Sequence, residues 1–219
     1  ANIPLCLVVS RAARGRVYLA GARGLTVIQR TAAGWEKRAE YPDLGDVHTA
    51  AEEEDGTLWL ASYSRGFWQV PQAGRISDWS KVIPRQWLKD CGLPAAIAWT
   101  AVFAAPGGAS LFTDQGSYRL DPSGARCVPD DRFALGGEPR TAVYPLVRTA
   151  NGDAWATVYT KSTLETDHPL GRIASAPGGA RWRPAPAAAL AEIGFAGAAV
   201  MAIDRTPTGE EVIWARGYH

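Results

Sequence analysis

Three histidines and one acidic run are where this sequence holds side chains suited to acid–base or metal chemistry. His48 sits in the alternating stretch Val47–Ala51, a pattern that packs a histidine against a sheet or leaves it at a rim. His168 follows Asp167 in a polar stretch that also holds Tyr159, Lys161 and Glu165, and His219 is the last residue. Glu52, Glu53, Glu54 and Asp55 run directly into Gly56. A calcium loop needs oxygen ligands at alternating positions around its glycine bend, and that spacing is missing, so the run reads as a solvated turn. Cys6, Cys91 and Cys127 are widely separated, with no C-x-x-C pair to suggest zinc or thiol–disulfide chemistry. No nucleophile elbow and no phosphate-cradling glycine loop occurs. The sequence therefore predicts no catalytic set, no metal site and no cofactor.

Charge narrows the partners further. Lys and Arg total 23 against 22 Asp and Glu, a net charge of +1, which supplies no broad field for nucleic acid. Arg140, Arg148, Arg181, Arg183, Arg205 and Arg216 are scattered rather than gathered with aromatics in a stripe, so no nucleic-acid partner is expected. No apolar run approaches the ~20 residues of a membrane helix, so this segment is not expected to insert directly into a membrane. The chain begins at Ala1 with no leader-like segment, and it reads as a cut from a longer protein.

The elements that must position any site repeat along the chain. An alternating apolar stretch, a glycine turn and a strand centred on an aromatic or large aliphatic residue recur five times. The clearest copy is VHTAAEEEDGTLWLASYSRGFWQV, from Val47 to Val70. The turn glycines Gly15, Gly56, Gly108, Gly152 and Gly209 lie 41 to 57 residues apart. Propeller blades take about 40–45 residues, with insertions accounting for the longer intervals. Each unit divides into four short strands, A to D. In the second unit these are Val47–Ala51, Leu58–Ala61, Phe67–Val70 and Ile76–Trp79, with Trp35, Trp79, Cys127 and Trp182 marking strand D along the chain. Pro84 to Lys89 and Ala187 to Ile193 are expected to form a turn or two of helix.

The fold class expected is therefore all-β: a single β-propeller segment of four four-stranded blades plus half of a fifth, forming an open arc. Its blades span approximately 4–41, 42–94, 95–140, 141–197 and 198–219. Large residues such as Trp59, Phe112, Trp155 and Trp214 belong where blades meet. Open blade edges are expected to promote self-association.

The segment EEDGTLWLASYSRGFWQV resembles the two-component-regulator propeller repeat. Asp55, Gly56, Leu58-Trp59, Ala61-Ser62 and Gly66-Phe67 hold the repeat's positions, and Asn151-Gly152 with Trp155-Ala156-Thr157 makes a second match. The resemblance implies a non-catalytic ligand-sensing or protein-interaction propeller. It also implies a periplasmic or extracellular place in the sensor region of a bacterial signalling protein. It names no ligand: a small molecule, a glycan or a protein all remain open. A weaker similarity links SAPGGARW, Ser175 to Trp182, to the Asp-box propellers of glycosidases, with Pro177 and Arg181 in place of the Asp and Thr. The alternative it implies is a fragment of a propeller-fold glycan-active enzyme.

In an up-and-down blade the B–C and D–A connections share one end, and the A–B and C–D turns share the other. The long insertions fall in the first class: Ser80–Pro94, Val158–Leu170 and Ala185–Gly197. Long loops on a rigid scaffold commonly carry recognition. The expected ligand-binding residues are thus Arg85, Trp87, Tyr159, Lys161, Asp167 and His168.

Overall fold

The structure is a computed structural model that describes residues 4–133, 142–148, 154–159, 170–174, 181–184, 198–206, 208 and 211–217. Among these, every regular element is a β-strand or a single 3-10 turn. The strands are β1 (Pro4–Val9), β2 (Arg16–Gly21), β3 (Gly24–Thr31), β4 (Gly34–Tyr41), β5 (Val47–Glu52), β6 (Leu58–Ser62), β7 (Gly66–Val70) and β8 (Arg85–Trp87). They continue with β9 (Thr100–Ala105), β10 (Gly108–Thr113), β11 (Gly116–Leu120), β12 (Cys127–Pro129), β13 (Ala142–Arg148) and β14 (Ala154–Tyr159). The last four are β15 (Leu170–Ala174), β16 (Arg181–Pro184), β17 (Ala198–Arg205) and β18 (Glu211–Gly217).

Each four-stranded sheet keeps chain order from edge to edge: β1 to β4, β5 to β8, β9 to β12 and β13 to β16. A two-stranded sheet, β17–β18, completes the set. Neighbouring strands of the described residues pair antiparallel, as β1 with β2, β6 with β7 and β17 with β18 do. This is the expected architecture of four four-stranded blades and half of a fifth. The chain divides into two compact units, Ala1–Phe103 with Leu120–Val128, and Ala104–Arg119 with Pro129–His219.

In the first unit, period-2 alternation sends the residues of β6 to opposite faces. Leu58 and Leu60 join Tyr18, Leu25 and Val27 of the first blade in one buried cluster that also holds Val47, Val70 and Trp79. Trp59, on the other face, is 1% exposed and lies 5.8 Å from Trp87 in a tilted ring pair. The second unit holds a buried ion pair between Asp130 and Arg132. Arg132 holds Asp130 at 2.6 Å and donates to the carbonyls of Pro106 and Gly108, so its guanidinium stitches the β9–β10 turn to the segment after β12. Ser110 also donates to Asp130.

Two expectations for the second blade are corrected. Strand D is β8, Arg85–Trp87, and not Ile76–Trp79. Pro84 to Lys89 likewise supplies that strand rather than a helix. Trp79 instead opens a 3-10 turn, capped by the Asp78 side chain accepting from the Ser80 amide. Its ring packs against Tyr18 and Tyr41, both at 6.3 Å. A tryptophan wedged between a short turn and the neighbouring blade gives the same apolar signal as a strand residue. Ala187 to Ile193 lies outside the described residues.

Candidate binding cleft

The two ends of the first two blades use their polar residues differently. At the A–B end, Glu52 is buried at the end of β5, and both its carboxylate oxygens are taken. Ser10 Oγ donates to Oε1 at 2.6 Å, and the Arg11 amide donates to Oε2 at 2.6 Å. Arg16, at the start of β2, crosses to the second blade and donates to the carbonyls of Ala73 and Ile76 at 2.6 and 2.9 Å. Asp55 turns onto its own hairpin and accepts from the amide and hydroxyl of Thr57. The Gly74 amide donates to the Gly56 carbonyl, tying the C–D connection to the A–B turn. Gly56 has φ +86°, and a Cβ there would approach Ala12 to 3.0 Å, so the position needs glycine. Within the acidic run, Glu52 and Asp55 serve the fold.

At the opposite end the first unit opens a cleft of about 700 Å³. One wall is the β6–β7 turn, Tyr63 to Gly66. The other is built from Gln86 of β8, from Leu88 and Lys89 just after it, and from Pro94, Ala95, Ile97 and Thr100 on the way into β9. Gln86 braces the two walls, its Nε2 donating to the Arg65 carbonyl at 2.8 Å. Gly66, φ +72°, brings the turn close to the Trp87 carbonyl.

His48 lies behind two lining residues, Tyr63 and Thr100. Its ring stacks on Tyr63 at 3.6 Å with an interplanar angle of 11°, and its Nε2 donates to the Thr100 carbonyl. Burial pushes the His48 pKa below its ordinary value, against opposing contributions from the Thr100 carbonyl and Asp46. The histidine expected to be a packed or rim residue is thus both: half-buried, it fixes the ring that faces the cleft. Thr100 donates to the Ser62 carbonyl at 3.1 Å and ties the start of β9 to the end of β6.

The expected ligand-binding residues fall into three groups. Arg85 is exposed, with its guanidinium 3.9 Å over the Trp87 ring. Trp87 is fully buried, and its indole N–H donates to Gln69, so it packs the blade while its neighbours Gln86, Leu88 and Lys89 face the cleft. Tyr159 ends β14, with its backbone paired to Ala142. Lys161, Asp167 and His168 lie outside the described residues. Tyr63 and Arg65 lie outside the expected set, because the B–C turn of this blade is short and the expectation rests on long connections. Their only sequence signal is the exposed, polar Ser64-Arg65-Gly66 turn at the repeat's B–C position. Among the described residues no group of three or more His, Cys, Asp or Glu converges as a metal site requires.

Solved structures share this fold of four-stranded antiparallel blades. The extracellular domain of the putative hybrid two-component system BT4673 from B. thetaiotaomicron superimposes with a TM-score of 0.59 at 16% identity, covering 97% of this chain and 25% of its own. That of BT3049 from the same organism gives 0.57 at 11% identity, covering 95% of this chain and 26% of its own. The Dos1 propeller gives 0.56 at 10% identity, covering 97% of this chain and 55% of its own. The fold is that of a β-propeller. Two of these propellers are extracellular domains of two-component systems, the class whose repeat the second blade resembles. The chain spans about a quarter of the length of those two domains. No family model matches the sequence, and comparison with curated proteins finds no match. Among the described residues no helix is long and apolar enough to cross a membrane.

Proposed function

We propose that this propeller is a non-catalytic sensing or interaction module, placed outside the cytoplasm as part of a bacterial signalling protein, and that it takes its ligand at the B–C end. The observation that carries this reading is the cleft between the Tyr63–Gly66 turn and the connection after β8. Its volume falls within the roughly 300–1,000 Å³ of small-molecule sites, and it opens where β6, β7, β8 and β9 begin or end. Similarity to extracellular domains of two-component systems supports the sensing role and the location. The fourth unit's B–C connection, with Lys161, Asp167 and His168, is proposed as a second recognition segment.

The test pairs the two ends. Tyr63→Ala with Lys89→Ala at the cleft, and Glu53→Ala with Glu54→Ala at the A–B turn, are compared for binding of fragment-library hits by titration calorimetry. Loss confined to the cleft pair supports the reading. Loss confined to the turn pair, or equal loss from both, overturns it. Glycoside and ester substrates should show no turnover above buffer, and saturable turnover would overturn the non-catalytic part.

A further inference from the structure

Resting on the cleft as the binding site, we infer that its ligand is a flat carboxylate: an aromatic or similarly planar body carrying one carboxyl group. Two features of the lining lead to this. The first is charge. The ionisable side chains among the lining residues, other than the Tyr63 phenol, are Arg65 and Lys89, one on each wall, and no carboxylate lines the cleft. Both are exposed, and neither makes an ion pair among the described residues. The Arg65 carbonyl is held by Gln86, which fixes the backbone from which its guanidinium projects. At the A–B end Arg16, which is buried, is spent on backbone carbonyls. Two unspent cations facing one space favour an anion, and a guanidinium matches a carboxylate in two-pronged geometry.

The second feature is shape. Tyr63 is 47% exposed even though one ring face is covered by His48. Stacking on an imidazole that is itself bonded to Thr100 fixes the plane of the phenol, so its uncovered face is a prepared platform. Leu88, Pro94 and Ile97 supply the apolar remainder. A planar body gains from stacking on a held ring at centroid distances of about 4.5–7 Å. A compact inorganic anion would use the cations and leave the platform empty. A neutral aromatic would leave both cations unpaired.

Benzoate, 4-hydroxybenzoate, phenylacetate and indole-3-acetate are titrated into the whole chain, alongside benzamide, phenylacetamide, acetate and inorganic phosphate. Binding is followed by calorimetry and by amide-shift mapping. At least one aromatic carboxylate is expected to bind saturably with shifts at Tyr63, Arg65 and Lys89, while its amide and acetate bind about tenfold more weakly or worse. Arg65→Gln with Lys89→Gln should cost about tenfold in that affinity and weaken its salt dependence. Tyr63→Leu should cost several-fold while Tyr63→Phe keeps affinity. Unchanged thermal melts show that these variants fold. Equal binding of acid and amide, phosphate binding as tightly as the acid, or no saturable carboxylate binding overturns the ligand class. A neutral fragment mapping to the same residues would then leave the cleft standing as the site. Shifts from every ligand gathering away from it would sink the site as well.

Discussion

The A–B end and the B–C end of the first two blades are built from similar residues put to opposite use. At the A–B end Ser10, Arg16, Glu52, Asp55 and Thr57 all bond inward, to one another or to backbone. At the B–C end Tyr63, Arg65 and Lys89 are exposed and line the cleft, with the Arg65 carbonyl held by Gln86. Side chains spent on internal bonds hold blades together. Side chains left exposed beside a cleft are available to a ligand. The difference lies in what surrounds each charge, since both ends carry arginine and polar turn residues.

Changes at the two ends should therefore have different consequences. The largest effect is expected from Trp87→Ala, which empties a fully buried site beside Trp59 and should cost about 3–5 kcal/mol in urea unfolding. Arg85→Ala, which removes only the exposed guanidinium over that ring, should cost about 1 kcal/mol or less. Near-equal losses would mean that Trp87 does not act as core. At the A–B end, Glu52→Ala strands the buried Ser10 hydroxyl and the Arg11 amide, and should cost about 3 kcal/mol. A change within experimental error would show that the inter-blade bonds do not hold the first two blades together.

A smaller effect is expected at His48. Its folded-state pKa is lowered by burial, so protonation favours the unfolded chain. The stability it protects is complete above the unfolded value of about 6.5 and is lost as pH falls below that. Thermal melts between pH 8 and pH 5 should show a steeper acid decline for the native chain than for His48→Gln. Identical slopes would remove His48 as the acid-sensitive support of Tyr63. The smallest effect on stability belongs to Arg65→Gln with Lys89→Gln, within about 0.5 kcal/mol of the native chain, because neither side chain holds structure. A loss near that of Glu52→Ala would erase the contrast between the ends.

The blades themselves were legible because Asp55-Gly56 and Leu58-Trp59 combine a positive-φ turn with alternating large residues, a local pattern that survives without tertiary context. Strand β8 was hidden because it is three residues long and follows a 3-10 turn carrying Trp79, whose ring fills the inter-blade space that a strand D residue was expected to fill. Placing strand D at Trp79 made Arg85 and Trp87 look like loop residues, which exchanged a core tryptophan for a binding one. The choice of the B–C and D–A end follows from blade topology, and the cleft lies there. The pairing of Tyr63 with His48 was not legible, since it depends on the register that sets Val47 opposite Ser62 and brings two positions fifteen residues apart into stacking contact.

The most direct test of the contrast is a map of backbone amide shifts across the first unit as fragment-library hits are titrated into the chain. The account predicts perturbations concentrated at 63–66, 86–89 and 94–100, with 52–57 and 72–76 unmoved. Perturbations centred on the Glu52–Thr57 turn, with a silent Tyr63, would contradict it.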